Sequence, residues 1–329
     1  MSKNILVMGN GFDIYHGLPT KYIDFVKDPM VKSQNNMFIK YFQKVVNENQ
    51  TWIDCEQEIK RVVKVVFEVL DKIMLEPTSQ SPSYLGTISV KEISDDQRNV
   101  LKNIDLIFEE KVLTFAVIKV KKDYMHPFYG INVSKIMEKI KHELDSLIQI
   151  FEEYLVNNID LHSVTTSSEQ IRKIKPYYVI NFNYTSSYEL YDIKEEDVCH
   201  IHGKTGNIPN NMVFGFEDED EFDLKDIYFK KYFQRIQKRT DLLDEEKFKR
   251  DLYSSDGFDK VSTHFFGLSM GVTDGDMIKK IEQLSDECII YYYNQEDYEA
   301  KIINLIKIFG KKCFIQKMHD REIQLEKIK

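Results

Sequence analysis

Two histidines and an asparagine supply the chemistry most readily read from this chain. His200 and His202 lie two residues apart in Val198-Cys199-His200-Ile201-His202-Gly203, and Asn183 closes the run Tyr177-Tyr178-Val179-Ile180-Asn181-Phe182-Asn183. An imidazole titrates near neutrality and suits a general base. An asparagine amide can hold a water or a hydroxyl without adding charge. Two glycine-bearing stretches, Gly9-Asn10-Gly11-Phe12-Asp13 and Gly267-Leu268-Ser269, could let the backbone approach a ligand closely, because glycine has no Cβ. No metal is expected between His200 and His202, and His200 is expected to pack.

Each of these residues also has an ordinary structural reading. The glycine pair alone would make a tight strand-to-helix turn. His202, before Gly203, could be a backbone-bonded histidine at a strand end, and Asn183 could be a turn former. Asp274 is either a helix cap or a ligand contact. His16 is either a ligand contact or turn packing. Trp52, Asp54 and Glu56 come close together, yet tryptophan usually belongs to a core and the acids to solvent.

The elements that must position these groups follow from periodicity. Strands are expected at residues 5–8, 177–183, 198–202, 261–269 and 289–293, each apolar and β-branched or aromatic. Helical spacing recurs from 20–26, through 36–75, over 95–159 with a break at His126-Pro127, after Asp274 through Ile278 and Ile281, and over 298–309. The carboxylate-rich start at 217–226 and the Lys/Arg-rich run to Arg250 read as a solvated, salt-bridged face. The charged end, 318–329, reads as peripheral. The expected fold is α/β, one domain over 1–329 with a parallel sheet, a large helical insertion at 36–160 and a charged helical insertion at 217–255. In such a sheet the four polar loops share one edge and build one composite site.

Composition narrows the classes. The 329 residues are 42% hydrophobic and 30% charged, enough for a sizeable core. A net charge of −9 argues against a nucleic-acid or membrane-surface binder. The four cysteines, Cys55, Cys199, Cys288 and Cys313, show no Cys-x-x-Cys pair and suggest a reducing compartment. No run approaches the roughly 18 apolar residues of a membrane span, so a cytoplasmic protein is expected.

The stretches GNGFDIYHGLPTKYIDF, WIDCE, NFNYT, HIHG and FGLSMGVTD, in this order, resemble the AbiH family of bacterial abortive-infection proteins. More distantly, Gly9-Asn10-Gly11-Phe12-Asp13 followed by Gly17-Leu18-Pro19 is similar to the opening motif of the sirtuin-type NAD-binding fold, a Rossmann-like parallel sheet. Phe182-Asn183-Tyr184-Thr185, His202-Gly203 and Gly267-Leu268-Ser269 resemble that family's later motifs. The resemblance implies a phage-defence protein with an NAD or ADP-ribose-like nucleotide as substrate or ligand. It implies His202 as base and Asn183 near the nicotinamide ribose. It also implies a binding wall from Gly9, Asn10, Gly11, Phe12, Asp13, His16, Gly203, Gly267, Ser269 and Asp274.

Cleavage of the nicotinamide N-glycosidic bond needs a held ribose, a positioned water and a group that takes the developing proton. An NAD glycohydrolase is one outcome; a non-catalytic nucleotide-sensing module that regulates a partner is the other. A homo-oligomer or a phage-derived trigger remains open as a further partner. Three departures separate the chain from sirtuins. Asp13 stands where they carry Ser, and a carboxylate there suits ribose hydroxyls or capping better than a pyrophosphate. Thr20-Lys21-Tyr22 replaces their Asp-Phe-Arg, and their cysteine zinc module is missing.

Overall fold

Leu6 and Met8 serve one face of the first strand and Ile5 and Val7 the other, and all four are fully buried. A strand covered on both faces belongs in the middle of a parallel sheet. The computed structural model describes residues 3–46, 52–75, 86–104, 107–112, 116–126, 130–216, 224–240, 253–254, 257–258 and 260–329. The chain forms two units, one from Met1–Lys21, Leu155–Asp220 and Lys231–Lys329, the other from Tyr22–Tyr154 and Glu221–Lys230.

The first unit is built on six parallel strands: β1 (Lys3–Met8), β2 (Tyr178–Asn181), β3 (Val198–His200), β4 (Val261–Phe266), β5 (Glu287–Tyr292) and β6 (Ile323–Lys327). Their order across the sheet is β6-β5-β4-β1-β2-β3, so the direction of progression reverses at β1. Its helices are α1 (Asn10–Tyr15), α2 (Glu169–Ile174), α3 (Lys231–Lys238), α4 (Gly275–Gln283), α5 (Gln295–Phe309) and α6 (Lys311–His319). Ile5, Val7 and Ile180 pack with Met277, Ile278 and Ile281 of α4, Leu305 and Ile308 of α5 and Phe314 of α6. On the other face Leu6, Met8 and Val179 pack with Phe12 of α1 and Ile171 and Ile174 of α2. Register pairs Met8 with Asn181 and Phe266, and Asn181 with His200, so the loops after β1, β2, β3 and β4 leave the sheet side by side.

In this unit three expectations are corrected. The charged end is not peripheral throughout, because β6 pairs with β5 from Cys288↔Ile323 to Tyr292↔Lys327 as an edge strand. β3 stops at His200, so His202 sits in the turn rather than on the strand. Lys231, Gln234 and Arg235 of α3 are buried, so the basic stretch is not a wholly solvated face; 217–223 and 241–250 lie outside the described residues.

The second unit contains helices Tyr22–Lys27, Pro29–Lys32, Met37–Val45, Cys55–Leu75, Asp95–Asn103 and most of Val133–Asn158. Asn36 caps the third of these by accepting from the amides of Phe38 and Ile39. The described residues between Asn103 and Val133 form short strands and one 3-10 turn rather than the α-helix their spacing suggested. Phe108–Val112 and Ala116–Val120 pair antiparallel, and Thr87–Ser89 adds a third strand. Among the described residues no helix is long and apolar enough to cross a membrane.

Candidate functional site

The glycines after β1 and β4 interlock backbone to backbone. A Cβ on Gly9 would stand 2.5 Å from the Leu268 Cα, and one on Gly11 would stand 2.8 Å from the Gly267 Cα. Gly267 itself has φ +73, and a Cβ there would meet the Phe12 nitrogen at 2.0 Å. The Gly9 amide donates to the Phe266 carbonyl at 3.0 Å and the Gly11 amide to the Gly267 carbonyl at 2.8 Å. The missing side chains therefore admit another stretch of this chain. Tyr293, just past β5, closes the contact by donating its hydroxyl to the Gly11 carbonyl at 2.6 Å.

Asp13, buried on α1, ties this loop to the one after β2. Its carboxylate accepts from Asn183 Nδ2 at 3.1 Å, from Thr185 Oγ1 at 2.7 Å and from the Ser187 hydroxyl. Burial raises the Asp13 pKa from 3.8 to about 6, with the three donors working against that rise. Asn183 Nδ2 also donates to the Gly9 carbonyl at 3.1 Å. The Asn183 amide donates to Asn181 Oδ1 at 2.9 Å, and Asn181 Nδ2 donates to the Thr185 carbonyl at 2.9 Å. Strand β2 thus ends in a turn whose polar groups are turned inward onto Gly9 and Asp13.

After β3, His202 enters a second buried network. Its ring lies 5.4 Å from that of Phe182 and 6.4 Å from that of Tyr184, the two neighbours of Asn183. Nε2 stands 3.1 Å from Asp274 Oδ1, off the ring N–H direction, so the contact is close but not a straight hydrogen bond. Lys231 Nζ donates to the same Asp274 oxygen at 3.0 Å. Burial lowers the His202 pKa; Asp274 opposes this, and the Lys231 and Arg235 charges add to it. Burial alone would raise the Asp274 pKa, but Lys231 and His202 outweigh it and hold the carboxyl well below the usual range. Asp274 precedes α4 without capping it by its side chain. Gly203, at φ +73, lets the turn pass Asn211, whose carbonyl oxygen would sit 2.2 Å from a Cβ there.

A family model, Bacteriophage abortive infection AbiH, matches residues 5–294, nearly the whole chain. The chain belongs to the AbiH family. No curated protein and no solved structure matches it. The family assignment points to a role in phage abortive infection.

In this AbiH chain, α3 supplies what sequence reasoning missed. Lys231, Gln234 and Arg235 share one helix face at i, i+3 and i+4, and each is buried. Gln234 brackets Phe214, accepting from its amide at 3.0 Å and donating to its carbonyl at 3.1 Å, while Arg235 pairs with Asp276. The basic composition of the run signalled a solvated face, and only the tertiary partners, about forty residues away, mark it otherwise.

The remaining expected residues fall elsewhere. Phe12 is buried against Phe266, Tyr191 and His16. His16 Nδ1 donates to the Phe12 carbonyl at 2.7 Å, so the neutral ring accepts from the Tyr191 hydroxyl at Nε2, also at 2.7 Å. Burial lowers the pKa of His16, in keeping with that neutral form. His16, Leu18 and Pro19 also line an open cleft of about 310 Å³ whose other wall carries Asn158, Asp160 and Thr166. Asn10 is exposed and donates to the Thr20 carbonyl at 3.1 Å; Ser269 is exposed beside Gly267. His200 lies edge-on to Tyr188.

In the second unit, Asp54 Oδ1 accepts from the Glu56 and Gln57 amides at the start of helix Cys55–Leu75. Glu56 is buried and accepts from Tyr22, whereas Trp52 is 70% exposed, the reverse of the usual placement of acid and indole. Among the described residues no group of three or more His, Cys, Asp or Glu side chains could hold a metal ion.

Proposed function

We propose that this AbiH chain acts in phage abortive infection by binding NAD or an ADP-ribose-like nucleotide at the carboxyl edge of the parallel sheet and hydrolysing the nicotinamide glycosidic bond. The strand order carries the proposal. Counted along the chain it runs 3-2-1-4-5-6, the doubly wound Rossmann order in which dinucleotides bind where the order reverses. That reversal lies between β1 and β4, where the loops bearing Gly9–Asp13 and Gly267–Ser269 emerge. The same order supports the sirtuin-like reading of the motifs.

The residues fit the ligand in part. With their amides donated to Phe266 and Gly267, Gly9 and Gly11 do not offer those two N–H groups to a pyrophosphate. Exposed Asn10 and Ser269 flank that closed contact and supply polar groups at the surface of the same two loops. In hydrolysis the C1′–nicotinamide bond breaks, a water oxygen bonds to C1′, and the water's proton passes to His202. The neutral ring of His202 suits that acceptance.

A non-catalytic sensing module is the second reading, favoured because Asp13 and Asn183 already satisfy each other within the chain. Incubating the purified protein with NAD and following nicotinamide release separates the two. Turnover by the wild type and its loss in His202→Ala support hydrolysis. Saturable ADP-ribose binding without nicotinamide release, by contrast, assigns the sensing role.

A further inference from the structure

Lys231 and His202 both approach one carboxylate oxygen of Asp274, at 3.0 Å and 3.1 Å, and the three residues are buried, with relative exposures of 1%, 4% and 9% for Lys231, His202 and Asp274. A buried carboxylate is costly unless paired, and a buried ammonium equally so. Each therefore accounts for the other's presence, but neither accounts for an imidazole at the same oxygen. We propose that Asp274 and Lys231 are positioning residues for His202. The Asp274 charge, 3.1 Å from Nε2, favours the ring proton on that nitrogen without a straight hydrogen bond and leaves Nδ1 as the lone-pair nitrogen, and Lys231 neutralises Asp274 so that the ring does not take a second proton.

The electrostatic surroundings agree. The charged groups facing the ring are Asp274, Lys231 and Arg235, and Arg235 is itself paired with Asp276. Phe182 and Tyr184 cover the ring's flanks and contribute no formal charge. An Asp274 carboxylate without Lys231 would be a lone buried anion beside an imidazole, which favours the imidazolium. The ammonium therefore adds to burial in bringing His202 to the reaction as a base rather than as a spent acid. The same logic explains why a lysine should be buried at the start of α3, where the amide of Lys231 is also fixed by donating to the Phe216 carbonyl at 3.0 Å.

The inference rests on the reading of His202 as the proton acceptor, but its test does not require turnover. Nitrogen-15 NMR of histidine-labelled full-length protein reports tautomer and protonation directly, with His202→Gln identifying the His202 signals. The wild type is expected to show Nε2–H and a bare Nδ1 at pH 7. Lys231→Met should move the His202 titration upward by about one to three pH units. Asp274→Asn should keep the ring neutral and mix the tautomers. If Lys231→Met does not fold, the Lys231→Met/Asp274→Asn double variant removes both charges and should show the same neutral, mixed-tautomer ring. An imidazolium at pH 7 in the wild type would overturn the proposal. So would an unmoved titration in folded Lys231→Met, or a double variant that keeps Nε2–H alone. Absence of nicotinamide release by the wild type, with the NMR result as expected, would instead remove the hydrolase reading and leave the positioning intact.

Discussion

Replacing Asp13 by Asn tests whether the loop after β1 is tied internally through a carboxylate with a raised pKa. Asp13 is 1% exposed and accepts three side-chain hydrogen bonds, from Asn183, Thr185 and Ser187. Its folded pKa of about 6 exceeds the ordinary 3.8, so the folded state holds the proton more tightly than the unfolded chain. The contribution of this group to stability is therefore fully present in acid, below the unfolded value, and is lost as pH rises through about 6. With those two values the wild type loses about 1.3 kcal/mol relative to Asp13→Asn between about pH 5 and pH 7, levelling at about 3 kcal/mol in total. The weaker hydrogen bonds of a neutral amide displace the whole curve without changing this slope. Urea unfolding of both proteins at several pH values reads the difference. A difference that stays flat from pH 5 to pH 7 would refute a raised Asp13 pKa and the dominance of burial over its three donors.

Gly267→Ala should cost more than about 4 kcal/mol, since the new Cβ overlaps the Phe12 nitrogen in backbone that cannot swing aside. Gly17→Ala is its control: φ is +78 but nothing lies within 4 Å, so only the left-handed preference, about 1–2 kcal/mol, is lost. Thermal and urea unfolding of the pair should rank them in that order. Lys301→Met should change stability by less than about 1 kcal/mol, because the methionine keeps the apolar stem. The abandoned Asp297 remains partly in water and still accepts from the Tyr293 amide at 3.0 Å. A loss of several kcal/mol there would show that the buried ammonium matters in itself.

The central strands were legible in the sequence because burial on both faces demands continuous apolar runs, as in Ile5-Leu6-Val7-Met8 and Tyr178-Val179-Ile180. Edge and minor strands were not. Ile323–Lys327 has one protected face and reads as charged, and Phe108–Val112 carries three charged residues in five. The family motifs likewise located the loops after β1, β2, β3 and β4. What the motifs could not convey is where the polar groups point. Asp13 turns to Thr185 and Ser187, and Asp274 to Lys231 and His202, because buried charge seeks whichever partner the fold supplies. Lys231 carried no signal at all, since a buried lysine at the head of a basic helix is spelled like an exposed one.

The most direct test of the nucleotide site is a crystal of the full chain soaked with ADP-ribose. Ligand density is expected across the carboxyl ends of β1, β2, β3 and β4, touching the loops that carry Asn10, Asn183, His202 and Ser269. An edge without ligand, or density confined to the cleft beside His16 and Pro19, would contradict it.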